Sequence, residues 1–397
     1  MIGARRASAR WTLGALVTAG AVVGALQLST RAGGLLPAKS LGPPTARSRT
    51  WARATGSVGA RARAHAPSPF EVVGELPAAG DASVDGAAAI VVRLSHSLGP
   101  MRTPPRVTPE VPGRWYVLRN ELVFRPRGAF LPGTRVTVSV LAGPSGPHDR
   151  GGQPLRRRFG WSYTVGTGTL LGAEQMLATL GYLPARFHPD GTAPLGRFAR
   201  EREVFLPLRG RWAFDWPAPA PLRAQWAPGR PSPVATGALM AFQSVAALPM
   251  TGALDPQTWA ALLRAVAAPG TRGNPNGYSY ALVEKSSPET LTVWNDGRVL
   301  LETPANTGIT AAPTADGTFP VYERLATQVM RGVNPDGVPY ADPVAWVAYF
   351  NGGDAVHYIA RASYGWPQSL GCVELPWAAA EKVWPYLTYG TLVTVAG

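Results

Sequence analysis

The chain has 397 residues, 46% of them hydrophobic, with 45 glycines, 40 prolines, one cysteine and a formal charge of +14. That length accommodates several packed domains, the glycine and proline load excludes a long helical bundle, and a lone cysteine excludes an intramolecular disulfide. The charge is uneven: residues 278–397 carry six basic side chains (Lys285, Arg298, Arg324, Arg331, Arg361, Lys382) against eleven acidic ones, a net of −5 that leaves +19 on residues 1–277.

At the N-terminus Arg5, Arg6 and Arg10 precede an uncharged run from Trp11 to Thr30. A run of this length, at a helical rise of ~1.5 Å per residue, crosses a hydrocarbon core of ~30 Å. It is expected to form a transmembrane helix over 11–30 after a cytoplasmic basic tail over 1–10. The rest of the chain is then extracytoplasmic, in the cell envelope and anchored to the cytoplasmic membrane. A cleaved signal peptide ending near Thr30-Arg31-Ala32 is the alternative. Residues 31–83, rich in Ala, Arg, Pro and Gly without a sustained period, read as a linker. The basic charge suits an anionic membrane or wall polymer, or simply keeps a stalk solvated. Nucleic acid is not an expected partner, because no nucleic-acid module is visible.

Over 84–167 the texture becomes β. Ala89-Ile90-Val91-Val92-Arg93-Leu94, Glu121-Leu122-Val123-Phe124, Arg135-Val136-Thr137-Val138-Ser139-Val140 and Trp161-Ser162-Tyr163-Thr164-Val165 are short runs between Pro/Gly turns, the pattern of an antiparallel sandwich. It resembles bacterial Ig-like modules. Over 168–270 the period is helical. Ala173, Leu177 and Leu180 share one face, and Leu239, Phe242 and Ala246 share another. A third helix opens with Asp255 as N-cap and Pro256 at N1, then carries Trp259, Leu262, Leu263 and Val266. Ala241-Phe242-Gln243, Thr251-Gly252-Ala253-Leu254-Asp255 and Thr258-Trp259-Ala260-Ala261-Leu262 resemble the three-helix peptidoglycan-binding type 1 domain. Residues 184–233 depart from that pattern and read as an insertion.

Residues 278–397 are expected to be mostly β with segregated helix, an α+β domain. Leu291-Thr292-Val293-Trp294, Asn295-Asp296-Gly297 and Val299-Leu300-Leu301-Glu302 predict one hairpin. Trp346-Val347-Ala348-Tyr349-Phe350, Asn351-Gly352-Gly353-Asp354 and Ala355-Val356-His357-Tyr358-Ile359 predict another. That places His357 on a strand, with Cys372 in a loop fifteen positions later and before a helix. A free cysteine often serves only as a small hydrophobe. In an exported chain it is also open to oxidation, and nucleophilic chemistry with the nearest histidine as its base is the use that offsets this risk.

Gly308, Pro313-Thr314-Ala315-Asp316-Gly317-Thr318-Phe319, Val356-His357, Tyr364-Gly365-Trp366-Pro367, Ser369-Leu370-Gly371-Cys372-Val373 and Tyr389-Gly390-Thr391-Leu392-Val393 resemble an L,D-transpeptidase catalytic domain of the YkuD type. The resemblance implies that Cys372 attacks a peptidoglycan stem tetrapeptide at the bond between its diamino acid and the terminal D-alanine. The resulting acyl-enzyme passes to an amine of a neighbouring stem, giving a 3→3 cross-link, or to water, giving L,D-carboxypeptidase activity. It also implies that His357 is the base, oriented by the backbone carbonyl of Tyr358, and that the Gly371 backbone amide is an oxyanion donor. Tyr340, Tyr364, Trp366, Ser369 and Glu374 are the candidate substrate contacts, with Trp346 a further aromatic near them. Two positions depart from the family pattern: Leu370 stands where a histidine is usual, and Glu374 where Arg or Asn is usual. The expected partners are peptidoglycan stem peptides and glycan, met by a monomer without cofactor or metal. The five histidines lack metal-ligand spacing. Papain-like peptidases place Cys before His, the reverse of the order here. A non-catalytic wall-binding scaffold is the competing class.

Overall fold

The structure, a computed structural model, describes residues 68–101, 103–192, 196–268 and 273–397. The expected basic tail, the anchor over 11–30 and the linker as far as residue 67 lie outside the described residues. Among the described residues, no helix is long and apolar enough to cross a membrane.

The first domain contains β1 (Val72–Leu76), β2 (Ile90–Leu94), β3 (Arg106–Thr108), β4 (Gly113–Leu118), β5 (Glu121–Pro126), β6 (Arg135–Val140) and β7 (Phe159–Thr164). They form two antiparallel sheets in the orders β1-β2-β5-β4 and β3-β6-β7. Alternation sends Ile90, Val92 and Leu94 from one sheet, and Val136, Val138 and Val140 from the other, into a shared core with Phe124 and Trp161. The linker expected to run to residue 83 ends earlier. Phe70 is fully buried, and Val72–Leu76 pairs with β2. This strand contains Gly74 and Glu75 and has no clean apolar alternation, so only its tertiary partner reveals it.

The second domain opens with α1 (Leu170–Thr179). Residues 184–233, expected as an insertion, hold β8 (Ala185–Pro189), α2 (Arg197–Glu203), β9 (Gly210–Phe214) and α3 (Ala220–Ala224). They are packed against the helices, not appended to them. The fully buried Glu174 of α1 accepts from Trp226 Nε1 at 3.0 Å and from the Gly229 amide at 2.6 Å, and Trp212 meets Trp226 edge-on at 5.0 Å. Helices α4 (Pro233–Val245) and α5 (Pro256–Ala267) complete the core through Leu239, Phe242, Trp259 and Leu262. Asp255 caps α5 by accepting from the Thr258 amide at 2.7 Å.

The third domain contains β10 (Ser279–Glu284), β11 (Thr290–Asn295), β12 (Arg298–Pro304), β13 (Gly317–Pro320), β14 (Glu323–Val333), β15 (Pro339–Asn351), β16 (Asp354–Tyr358), β17 (Val373–Leu375), α6 (Trp377–Val383) and β18 (Leu392–Ala396). Two sheets, β12-β11-β10-β18-β13 and β14-β15-β16-β17, enclose a core that includes Val283, Val293, Phe350, Val356 and Val393. Tyr280, Leu282 and Leu392 join the helical core beneath, so the second and third domains are continuously packed. The long β14–β15 hairpin has no counterpart in the sequence reading. Its turn, Asn334-Pro335-Asp336-Gly337, is a clear signal, but the first strand reads Glu-Arg-Leu-Ala-Thr-Gln-Val-Met-Arg-Gly-Val and buries none of its residues fully. With neither face sealed, no alternation is imposed on it.

Candidate active site

Parallel pairing of β16 with β17 brings the two chemical residues together. Val356 faces Val373 and His357 faces Glu374 in register, so Cys372, one position before β17, lies alongside the same strand as His357. Both line a cleft of about 770 Å³ whose far wall is the β14–β15 hairpin, including Gln328, Arg331 and Tyr340. His357 is 2% exposed, and its Nδ1 lies 3.0 Å from the Tyr358 carbonyl oxygen. A carbonyl only accepts, so Nδ1 carries the ring proton and Nε2 keeps its lone pair. The Cys372 thiol is directed at the Gly353 carbonyl, 3.7 Å away.

Electrostatics hold this pair neutral at rest. Burial pushes the Cys372 thiol up to about 12. The backbone hydrogen bond at Ala355 works against this, while the Asp354 and Glu374 carboxylates reinforce it. Burial also lowers the His357 pKa below the ordinary imidazole value, outweighing the hydrogen bond to Tyr358. Thiolate formation must therefore accompany attack. In His357→Gln, where no base assists, iodoacetamide alkylation of Cys372 is expected to rise about tenfold per pH unit through the neutral range, with no plateau below about pH 10. A plateau at neutral pH in that variant, followed by mass spectrometry, would show a resting thiolate instead.

The loop before β17 is tied from within. Ser369 Oγ donates to the Cys372 carbonyl at 2.6 Å and accepts from the Gly371 amide at 3.2 Å. Ser369 thus shapes the loop, and it also lines the cleft. The Gly371 N–H, expected to face the oxyanion, donates to that hydroxyl. Gly371 is required for another reason: its φ is +115°, and a Cβ there would come within 2.5 Å of Asp354 Oδ1. Below the loop, the Ser369 amide donates to the Thr307 carbonyl at 3.0 Å. Glu289, 1% exposed, receives both the Thr307 amide and its hydroxyl at 2.7 Å.

Glu374, also a lining residue of the cleft, is 3% exposed and accepts from Arg361 Nε at 2.9 Å, Arg361 Nη2 at 2.5 Å and Asn306 Nδ2 at 3.1 Å. Both oxygens are engaged in holding the cleft wall. Tyr364 donates its hydroxyl to the Ile359 carbonyl at 2.7 Å and is not part of the cleft lining. Trp366 is 46% exposed and lies outside the lining as well. Trp346 packs away from the cleft, 5.9 Å from Trp377 and 6.0 Å from Trp384 between ring centroids. Of the expected aromatics, Tyr340 alone lines the cleft, and Leu370 lines it beside Cys372. Arg361, Asn306, Glu289 and Asp354 were not singled out from sequence. Only Asp354 carried a signal, as the acidic end of a tight turn leading into the histidine strand.

Residues 278–395 match the YkuD family model, the L,D-transpeptidase catalytic domain. The C-terminal domain is a YkuD domain. No curated protein matches the chain. Among solved structures, an L,D-transpeptidase from Mycobacterium smegmatis is 16% identical, covering 83% of this chain and 100% of that one, with a TM-score of 0.28. L,D-transpeptidase 3 from Mycobacterium tuberculosis is 14% identical over 82% of this chain and 99% of its own, with a TM-score of 0.29. The catalytic domain of the E. faecium L,D-transpeptidase is 27% identical over 30% of this chain and 96% of its own, with a TM-score of 0.28. Within the matched residues, Cys372 and His357 line the cleft, and the Tyr358 carbonyl meets His357 Nδ1.

Proposed function

We propose that the protein is an extracytoplasmic L,D-transpeptidase that acts on peptidoglycan stem tetrapeptides through a cysteine acyl-enzyme and forms 3→3 cross-links. The observation that carries this reading is the fixed tautomer of His357 in the same cleft as Cys372, which leaves Nε2 free as a base. Cys372 Sγ attacks the carbonyl of the diamino acid while Nε2 takes the thiol proton. Collapse of the tetrahedral intermediate breaks the C–N bond, and the same nitrogen returns the proton to the departing D-alanine amine. The thioester then meets the acceptor amine. That amine loses a proton to His357, which passes it to the sulfur as the new amide forms. With the Gly371 amide engaged by Ser369, the oxyanion falls to the Cys372 amide in this reading.

In this reading the membrane segment over 11–30 tethers the enzyme in the envelope. The first domain serves as an Ig-like spacer, and the helical domain contacts glycan. The decisive experiment incubates the full-length chain with tetrapeptide muropeptides and follows products by mass spectrometry. D-Alanine release together with a 3→3 dimer is expected. Release with tripeptide alone would make the enzyme a carboxypeptidase. No release, together with no carbapenem thioester, would leave the scaffold reading.

A further inference from the structure

Two carboxylates stand close to the nucleophile, and they are treated differently. Glu374 is neutralised by the two-pronged contact with Arg361. Asp354, the first residue of β16 and a lining residue of the same cleft, pairs with no basic side chain among the described residues. Its Oδ2 accepts only two long hydrogen bonds, from the Ala315 amide and from Asn351 Nδ2, each at 3.4 Å. Its Oδ1 receives no hydrogen bond among the described residues. That oxygen lies 2.5 Å from the point a Gly371 Cβ would occupy, over the backbone immediately before Cys372. The space for it exists only because residue 371 is glycine.

A half-buried carboxylate without a counter-charge is costly to keep ionised, and burial indeed raises the Asp354 carboxyl above its ordinary range. It also hinders the first half of the reaction, since a negative charge near the thiol opposes thiolate formation. A group that burdens both stability and nucleophile activation is accounted for if a cation reaches it later. The second half of the reaction supplies one. An acceptor amine arrives as an ammonium, and it must be brought to the thioester on the cleft side of Cys372.

We propose that Asp354 is the acceptor-binding residue of this cleft: its free carboxylate oxygen holds the side-chain ammonium of the incoming stem beside the Cys372 thioester and so favours amine over water. This rests on the transpeptidase reading above. The protons balance as follows. The ammonium gives one proton to Asp354, the neutral amine attacks the thioester carbonyl, and its second proton passes through His357 to the departing sulfur. Asp354 then returns its proton to solvent as the product leaves.

The test uses the full-length protein with Asp354→Asn, which keeps the size and the hydrogen-bonding oxygen but not the charge. The KM for the amine acceptor is expected to rise tenfold or more, and the ratio of cross-linked to hydrolysed product to fall by a similar factor. Acylation by a carbapenem should not slow, and it is free to quicken because a negative charge near the thiol is gone. Asp354→Glu should restore part of the partition. In the wild type alone, added salt should lower the ratio of dimer to tripeptide, an effect absent in the Asn variant. An unchanged partition in Asp354→Asn overturns the proposal. So does a parallel loss of acylation, which would mark a structural role. Failure of the wild type to acylate at all would overturn the transpeptidase reading first, and this proposal with it.

Discussion

Replacing His357 by glutamine is expected to lower the rate of carbapenem acylation by roughly 10²- to 10⁴-fold, and Cys372→Ala to abolish the adduct altogether. The histidine effect follows from the resting state. With burial pushing the thiol up to about 12, spontaneous thiolate is scarce at neutral pH. A base with a free lone pair in the same cleft is the means by which attack avoids that scarcity. Glutamine can still donate from its amide toward the Tyr358 carbonyl, so the strand keeps its hydrogen bond while the base is lost. Because burial depresses the imidazole pKa, the base stays neutral to a lower pH than an ordinary histidine. The acid limb of the wild-type rate should therefore fall below the ordinary histidine value. No descending limb from Cys372 should appear in the neutral range. A thioester mass shift surviving in Cys372→Ala would place the nucleophile elsewhere and sink the assignment.

The parts of this site that rest on short-range rules were legible in the sequence. A tight Asn-Gly-Gly-Asp turn between two apolar runs placed His357 on a strand. Asp255 and Pro256 announced α5 through capping chemistry that needs no tertiary partner. What was not legible depends on residues distant in the chain. Glu289 shapes the nucleophile loop through Thr307, and nothing local to either residue signals the contact. Tyr364 looked like a pocket aromatic because its type suits one, yet its hydroxyl is taken by a carbonyl five residues back. The β14–β15 hairpin, which makes the far wall of the cleft, buries too little of its first strand to leave a periodic trace. Composition near a motif identifies the residues available to a site, whereas pairing decides which of them face it.

The departure at position 374 shows the same principle with an energetic consequence. Read as sequence, a glutamate two residues after the nucleophile is an added charge near substrate. In the fold it is a buried anion whose compensating guanidinium comes from Arg361, thirteen positions earlier, with Asn306 filling the remaining acceptor site. Arg361→Met keeps the aliphatic stem and removes the charge. It is expected to destabilise the protein by about 3 kcal/mol at neutral pH, the lower end for a broken buried pair because the Arg361 side chain is 31% exposed and partly screened. Arg361→Met combined with Glu374→Gln should recover much of it, because an amide still accepts from Asn306 without an uncompensated charge. Urea midpoints of the single and double variants separate these cases. A loss below about 1 kcal/mol in Arg361→Met would mean that solvent already neutralises Glu374. The single variant should also acylate more slowly than the double. An unpaired carboxylate two residues from Cys372 adds to the opposition that Asp354 already presents to thiolate formation.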